Sequence, residues 1–128
     1  MQTPWGESDG DHVFAEGIVM YYTDHVFAEG IVMYYTPSHG GVKLSPERVK
    51  EMKAKFPYFT TFGNNGESWY EEDCDTLVVI LAFPEYFDPV LVQRAFMIVN
   101  RDKYFMNARA GSYWNTLVTK HGKMPPGC

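Results

Sequence analysis

Apolar residues along this chain follow three different rhythms. From Val13 to Tyr35 they come as short β-branched and aromatic clusters, Val-Phe-Ala and Ile-Val-Met-Tyr-Tyr, each pair broken by Glu-Gly. That pattern predicts strand, tight turn, strand, with Gly17 and Gly30 at the turns. Further on, Val49, Met52 and Phe56 recur at helical spacing behind Ser45-Pro46-Glu47. Serine there is a ready N-cap and proline suits the first helical position, so a helix over residues 46–55 is expected, with Glu51 in reach of Lys55 and Pro57 as its end. The third rhythm is an unbroken apolar run, Leu77 to Phe83. Periodicity assigns such a run to neither buried strand nor buried helix; its β-branched content suits a strand, and the acids ahead of it tip the reading towards helix. Asp88-Pro89 then repeats the cap-plus-proline signature, and Leu91, Ala95 and Ile98 mark one stripe of a helix reaching about Val99. Gly63-Asn64-Asn65-Gly66 is loop chemistry, and residues 111–128 read as an irregular tail ending in Pro-Pro-Gly-Cys. These elements predict one α+β domain over residues 1–128, a small antiparallel sheet packed by two or three helices.

The first cluster contains an exact repeat: residues 11–23 and 24–36 are the same 13-residue phrase, Asp-His-Val-Phe-Ala-Glu-Gly-Ile-Val-Met-Tyr-Tyr-Thr. Solenoid repeats are longer, diverge, and need about three units to share a core. An in-frame duplication, natural or engineered, accounts for the identity better. Since 128 − 13 = 115, the chain without one copy has 115 residues. An odd period would show opposite faces of the two copies in one continuous strand, so one copy is expected to serve the fold while the other forms an extra hairpin, a loop or an exchanged strand. The second copy runs directly into Pro37-Ser38-His39-Gly40-Gly41 and is the better candidate for the native connection. Two uncharged Ile-Val-Met-Tyr-Tyr-Thr windows also raise the prospect of a homodimer by strand exchange.

Length and composition sharpen this picture. A 128-residue chain that is 45% apolar suits one core. No run approaches the roughly 18 apolar residues of a membrane span, and the first residues lack the basic region and apolar stretch of a signal peptide, which points to a soluble cytoplasmic protein. Cys74 and Cys128 are too few for a disulfide framework, and no disulfide is expected. The net charge is −5, with six acids and no Lys or Arg in residues 1–41 against six basic residues and Asp102 alone in residues 89–128. Internal complementarity explains that asymmetry, and direct nucleic-acid binding is disfavoured.

With one copy set aside, Trp5-Gly6, Gly30-Ile31-Val32, Ser38-His39-Gly40-Gly41, Leu44-Ser45-Pro46-Glu47-Arg48 and Trp69-Tyr70-Glu71-Glu72-Asp73-Cys74-Asp75 together form a recognisable series. In these segments the chain resembles a family of small bacterial proteins and domains of unknown function carried on plasmids, prophages and other mobile elements. The resemblance runs over about residues 5–87 and is faint beyond Pro89. Two features depart from it: the repeat, and Thr76 where a tryptophan would be expected. It implies a setting, and no activity.

Glu71, Glu72, Asp73 and Asp75 with His39 offer hard ligands for a divalent cation, yet neighbouring residues on one element point apart and the calcium-loop glycine is missing. An acidic solvated or capping face outweighs a metal site, whose existence stays open; no cofactor is implied. Cys74 between acids would have a raised pKa, which favours a packed thiol over a nucleophile. Ser38-His39-Gly40-Gly41 could line an oxyanion loop, but without a nucleophile elbow a structural turn at His39, Gly40 and Gly41 explains it better.

The balance is against an enzyme. The expected function is a small acidic binding protein of a mobile element that docks Trp69, Tyr70, Glu71, Glu72, Asp73 and Asp75 on a basic groove of a host defence or nucleic-acid-handling protein, aromatic for contact and acidic for steering. The alternative is a metal-dependent or acid/base hydrolase using His39, Glu72 and Asp73.

Overall fold

A computed structural model describes residues 2–4, 6–7, 13–15, 18–19, 25–35, 40–61, 68–71 and 74–122. The fold is α+β, and the chain gathers into two compact units: Met1–Val49 with Thr61–Thr76, and Lys50–Thr60 with Leu77–Cys128.

The first unit holds the strands. β1 (Gln2–Thr3) pairs with β2 (Gly6–Glu7), and β3 (Val13–Ala15) pairs with β4 (Ile18–Val19). The main sheet is antiparallel with order β5-β6-β7-β8, formed by β5 (His25–Ala28), β6 (Ile31–Tyr35), β7 (Gly40–Leu44) and β8 (Trp69–Glu71). The second copy of the repeat therefore supplies β5 and β6, as its position ahead of residues 37–41 predicts. The first copy builds its own hairpin, β3-β4, in the same register: Val13↔Val19 and Ala15↔Ile18 match Val26↔Val32 and Ala28↔Ile31 one repeat later.

Between β5 and β6 the turn is Glu29–Gly30, with Gly30 at φ +81°. A side chain is disfavoured there twice over, by the left-handed backbone and because a Cβ would overlap Ser45 Oγ and Arg48. The Gly30 carbonyl accepts the Ser45 N–H at 2.9 Å and the Glu29 carbonyl accepts Arg48 Nε at 3.0 Å. One face of the sheet is buried: Ile31, Met33, Val42, Leu44 and Tyr70 are all shielded from solvent. Each such aliphatic side chain contributes roughly 1.5–3 kcal/mol by leaving water.

Helix α1 (Pro46–Lys55) starts as its sequence predicts, with Ser45 Oγ accepting the Arg48 N–H at 3.3 Å and Pro46 at the first position. Met52 and Phe56 are buried, whereas Val49 is only half-buried. The apolar run is a helix, α2 (Thr76–Ala82).

In the second unit, two side chains close the C-terminal end of α2. Lys55 Nζ donates to the Ala82 carbonyl and Tyr113 Oη to the Leu81 carbonyl, the latter at 2.7 Å. The Lys55 ammonium lies 5.1 Å from the ring centres of both Phe83 and Tyr113, so a cation–π enclosure holds the group that caps the helix. Burial, and secondarily the charge of Glu85, raises the Tyr113 pKa above its ordinary value.

α3 (Pro89–Arg101) is capped by Asp88, whose Oδ1 accepts the Val90 N–H at 2.7 Å. Its buried stripe is Val92, Ala95, Phe96 and Val99, which corrects the expected Leu91, Ala95 and Ile98: Leu91 and Ile98 are exposed. Both stripes have helical spacing, and the one carrying Phe96 buries the larger surface, stacking that ring on Trp114 at 5.2 Å. Arg109 Nη1 donates to the carbonyls of Val99 and Asp102 at 2.7 and 2.8 Å, closing the end of α3.

The expected irregular tail is corrected as well. Residues Ser112–His121 form α4, with Trp114 and Leu117 buried three residues apart on one face. Gly111 precedes it at φ +102° without a side-chain cap, which is why the usual start signal is missing from the sequence. No helix among the described residues is long and apolar enough to cross a membrane.

Candidate functional site

Strand alternation sorts the residues expected to act together. On β8, Trp69 and Glu71 lie on one face and Tyr70 on the other. Tyr70 is 5% exposed, within the buried face, and its carbonyl accepts Thr76 Oγ1 at 2.9 Å. Asp75 is completely buried at the start of α2, after the turn in which the Cys74 N–H reaches the Glu71 carbonyl. Tyr70 and Asp75 are therefore removed from the docking face: a strand turns adjacent residues to opposite sides, and Asp75 is fully enclosed just before α2. Thr76 also gains a definite role. At 4% exposure it donates to the Tyr70 carbonyl and so ties the first residue of α2 to β8.

Glu72, Asp73 and His39 lie outside the described residues, so the hydrolase constellation does too. No group of three or more His, Cys, Asp or Glu among the described residues is placed to hold a metal ion. Cys74 is half-buried and not part of a disulfide. Gly40 and Gly41 are corrected from turn to strand: they open β7, buried, opposite Tyr35 and Tyr34. The absence of a side chain at Gly41 has a different use, since it leaves room between two cross-strand neighbours, Tyr34 and Glu71.

What the register does bring together was not legible from any one segment. Val26, Val32, Lys43 and Trp69 form one row across the four strands, and Tyr34, Gly41 and Glu71 the next, all on the face opposite the buried one. The Tyr34 and Trp69 rings meet with centres 5.6 Å apart and planes inclined at 54°. Lys43 Nζ sits 5.5 Å from the Trp69 ring centre on the other flank. Such ring and cation contacts are each worth about 0.5–1 kcal/mol and fix the platform's geometry without hiding it. All four side chains are partly accessible, and Val26 at the edge is 64% exposed.

Beside this platform lies a groove of about 400 Å³ bounded by Val32, Tyr34, Lys43, Ser45, Pro46 and Ser68. It is mostly apolar, and its lining includes one cation, Lys43, and three hydroxyl groups, those of Tyr34, Ser45 and Ser68. Such an arrangement can bind by ring contact and desolvation, with polar groups setting orientation.

Comparison with known families gives one match. The family described as a domain of unknown function (DUF7007) matches residues 23–109. That span begins at Thr23, the last residue of the first copy, and continues through α3, further than the resemblance read from the sequence; it leaves out Trp5-Gly6, the rest of the first copy and α4. Neither the curated proteins nor the solved structures contain a significant match.

Proposed function

The chain belongs to the DUF7007 family, and we propose that it acts there as a non-enzymatic binding module whose docking face is the open side of the β6-β7-β8 sheet. The observation that carries this reading is the contact pair Tyr34 and Trp69, two large rings left partly accessible on a sheet face beside a mostly apolar groove. Aromatic anchors of this kind dominate protein–protein contacts because they bury much area with little loss of rotamer freedom. Trp69 and Glu71 remain from the acidic segment, and Tyr34 and Lys43 join them. One cation beside one carboxylate makes the platform itself nearly neutral, so rings supply contact and the acidic N-terminal region supplies attraction at a distance.

The partner in this reading is a basic host protein, one that handles nucleic acid or defends against mobile elements. A net charge of −5 and six acids within residues 1–41 support that choice, as does the resemblance to mobile-element proteins. Immobilised protein exposed to a bacterial lysate should retain such a partner in low salt and release it as salt is raised. Trp69→Ala should abolish capture while lowering thermal stability only slightly, because Trp69 is outside the buried face. Capture by Trp69→Ala equal to that of the parent chain would remove the platform from the reading.

A further inference from the structure

Every structural interaction described for the second copy within the first unit is made by residues that the first copy also possesses. The β6 strand that pairs with β7 is Ile31-Val32-Met33-Tyr34-Tyr35, and Ile18-Val19-Met20-Tyr21-Tyr22 is the same sequence. Gly30 and Glu29, whose carbonyls receive Ser45 and Arg48, have Gly17 and Glu16 as counterparts. The Trp69 platform needs a tyrosine at Tyr34, and Tyr21 is its equivalent. The two hairpins share their register at both pairs described for the first copy, Val13↔Val19 and Ala15↔Ile18.

We infer that the β5-β6 position is degenerate: either copy of the hairpin can pair with β7, and the chain exchanges between two threadings of one fold. In the threading described above, four residues, 36–39, connect β6 to β7. With Ile18–Tyr22 in place of β6, the connection is residues 23–39, 17 residues counted from the same strand ends. Closing the longer loop disfavours the second threading by about ninefold on the power-law scaling of loop entropy, with the pairing itself unchanged. It is then a minor but populated state, on the order of a tenth of the molecules. The displaced second copy would then be the spare segment, lying in sequence between the strand paired with β7 and β7 itself.

The test places a charge at one buried position of each copy. Ile31 is 0% exposed, and aspartate there is incompatible with the sheet. Ile31→Asp should nonetheless stay cooperatively folded, melting only about 5 °C lower, since a ninefold penalty is ~1.3 kcal/mol. Ile18→Asp should leave the melting temperature nearly unchanged, and the double variant should lose the cooperative transition. If Ile31→Asp unfolds as completely as the double variant, the first copy has no access to β7 and the proposal fails. A rescue of Ile31→Asp that disappears on dilution, with a dimeric mass at high concentration, would also overturn it, because the exchange would then run between chains and not within one.

Discussion

The two hairpins of this protein carry the same residues and adopt the same register, yet β4 has one neighbouring strand and β6 has two. Local sequence therefore decides which residues face each other across the hairpin, since the described pairs of the two copies correspond one for one. It does not decide where the hairpin goes. The second copy is held by β7 on its flank and by Ser45 and Arg48 under its turn, and short covalent connection gives it the first claim on those partners. An isolated two-stranded hairpin is only marginally stable in water, so partnership and not propensity separates the two copies energetically.

The comparison predicts that elements with a duplicate tolerate damage and elements without one do not. Strand β7 has no duplicate, and Val42 in it is fully buried with neighbours on both sides. Val42→Asp should abolish folding outright, a loss beyond about 4 kcal/mol, in contrast to the survival expected of Ile31→Asp; circular dichroism melting distinguishes them. Next in size is Lys55→Met, which keeps the length of the stem but removes the donor to Ala82 and the charge between Phe83 and Tyr113. A fall of about 2 kcal/mol by urea titration is expected, since the carbonyl loses a charged partner.

Gly30→Ala comes third. In the 115-residue chain with one copy it should cost about 1–3 kcal/mol through positive φ and the overlap with Ser45. In the full chain the same change should cost measurably less, because Gly17 remains available. Equal losses in the two chains would argue that the hairpins are not interchangeable.

The smallest effect concerns pH and the second unit, where nothing is duplicated. His121 Nδ1 lies 3.2 Å from Gln93 Oε1, its ring rests 5.3 Å from Phe96, and Nε2 is buried without a hydrogen-bond partner among the described residues. Burial, then the charge of Lys120, lowers its pKa below the ordinary 6.5. Protons consequently bind the unfolded chain first as pH falls. Stability from this group is full above about pH 7 and declines as pH drops through 6.5 towards the lowered folded value. His121→Gln should flatten that slope in melting temperature between pH 7.5 and about 5.5.

Much of the helical framework was legible because its signals are local. Ser45-Pro46 and Asp88-Pro89 announce α1 and α3, and both caps form the hydrogen bonds their chemistry predicts. The α3 stripe was misread by one position because two sets of apolar residues share helical spacing, and only tertiary packing of Phe96 chooses between them. α4 lacked a capping side chain and escaped notice, although Tyr113, Trp114 and Leu117 carried a helical rhythm.

The candidate site was less legible for a related reason. A contiguous aromatic and acidic run suggests one face in print, but alternation sends Tyr70 inside and leaves Trp69 and Glu71 outside. Tyr34 and Lys43 join them only through the register of three strands from separate stretches of chain. No window of sequence contains that information. Glycine was ambiguous too: Gly40 and Gly41, residues that suit a turn, stand in strand β7 opposite Tyr35 and Tyr34.

The shared register of the two hairpins bears on inheritance. Because the copies are identical, deleting either yields one and the same 115-residue protein. If each can stand in for the other, selection sees neither alone. The first damaging substitution in one copy then commits its descendants to the other, and a redundant segment becomes an indispensable one without any change in its own residues.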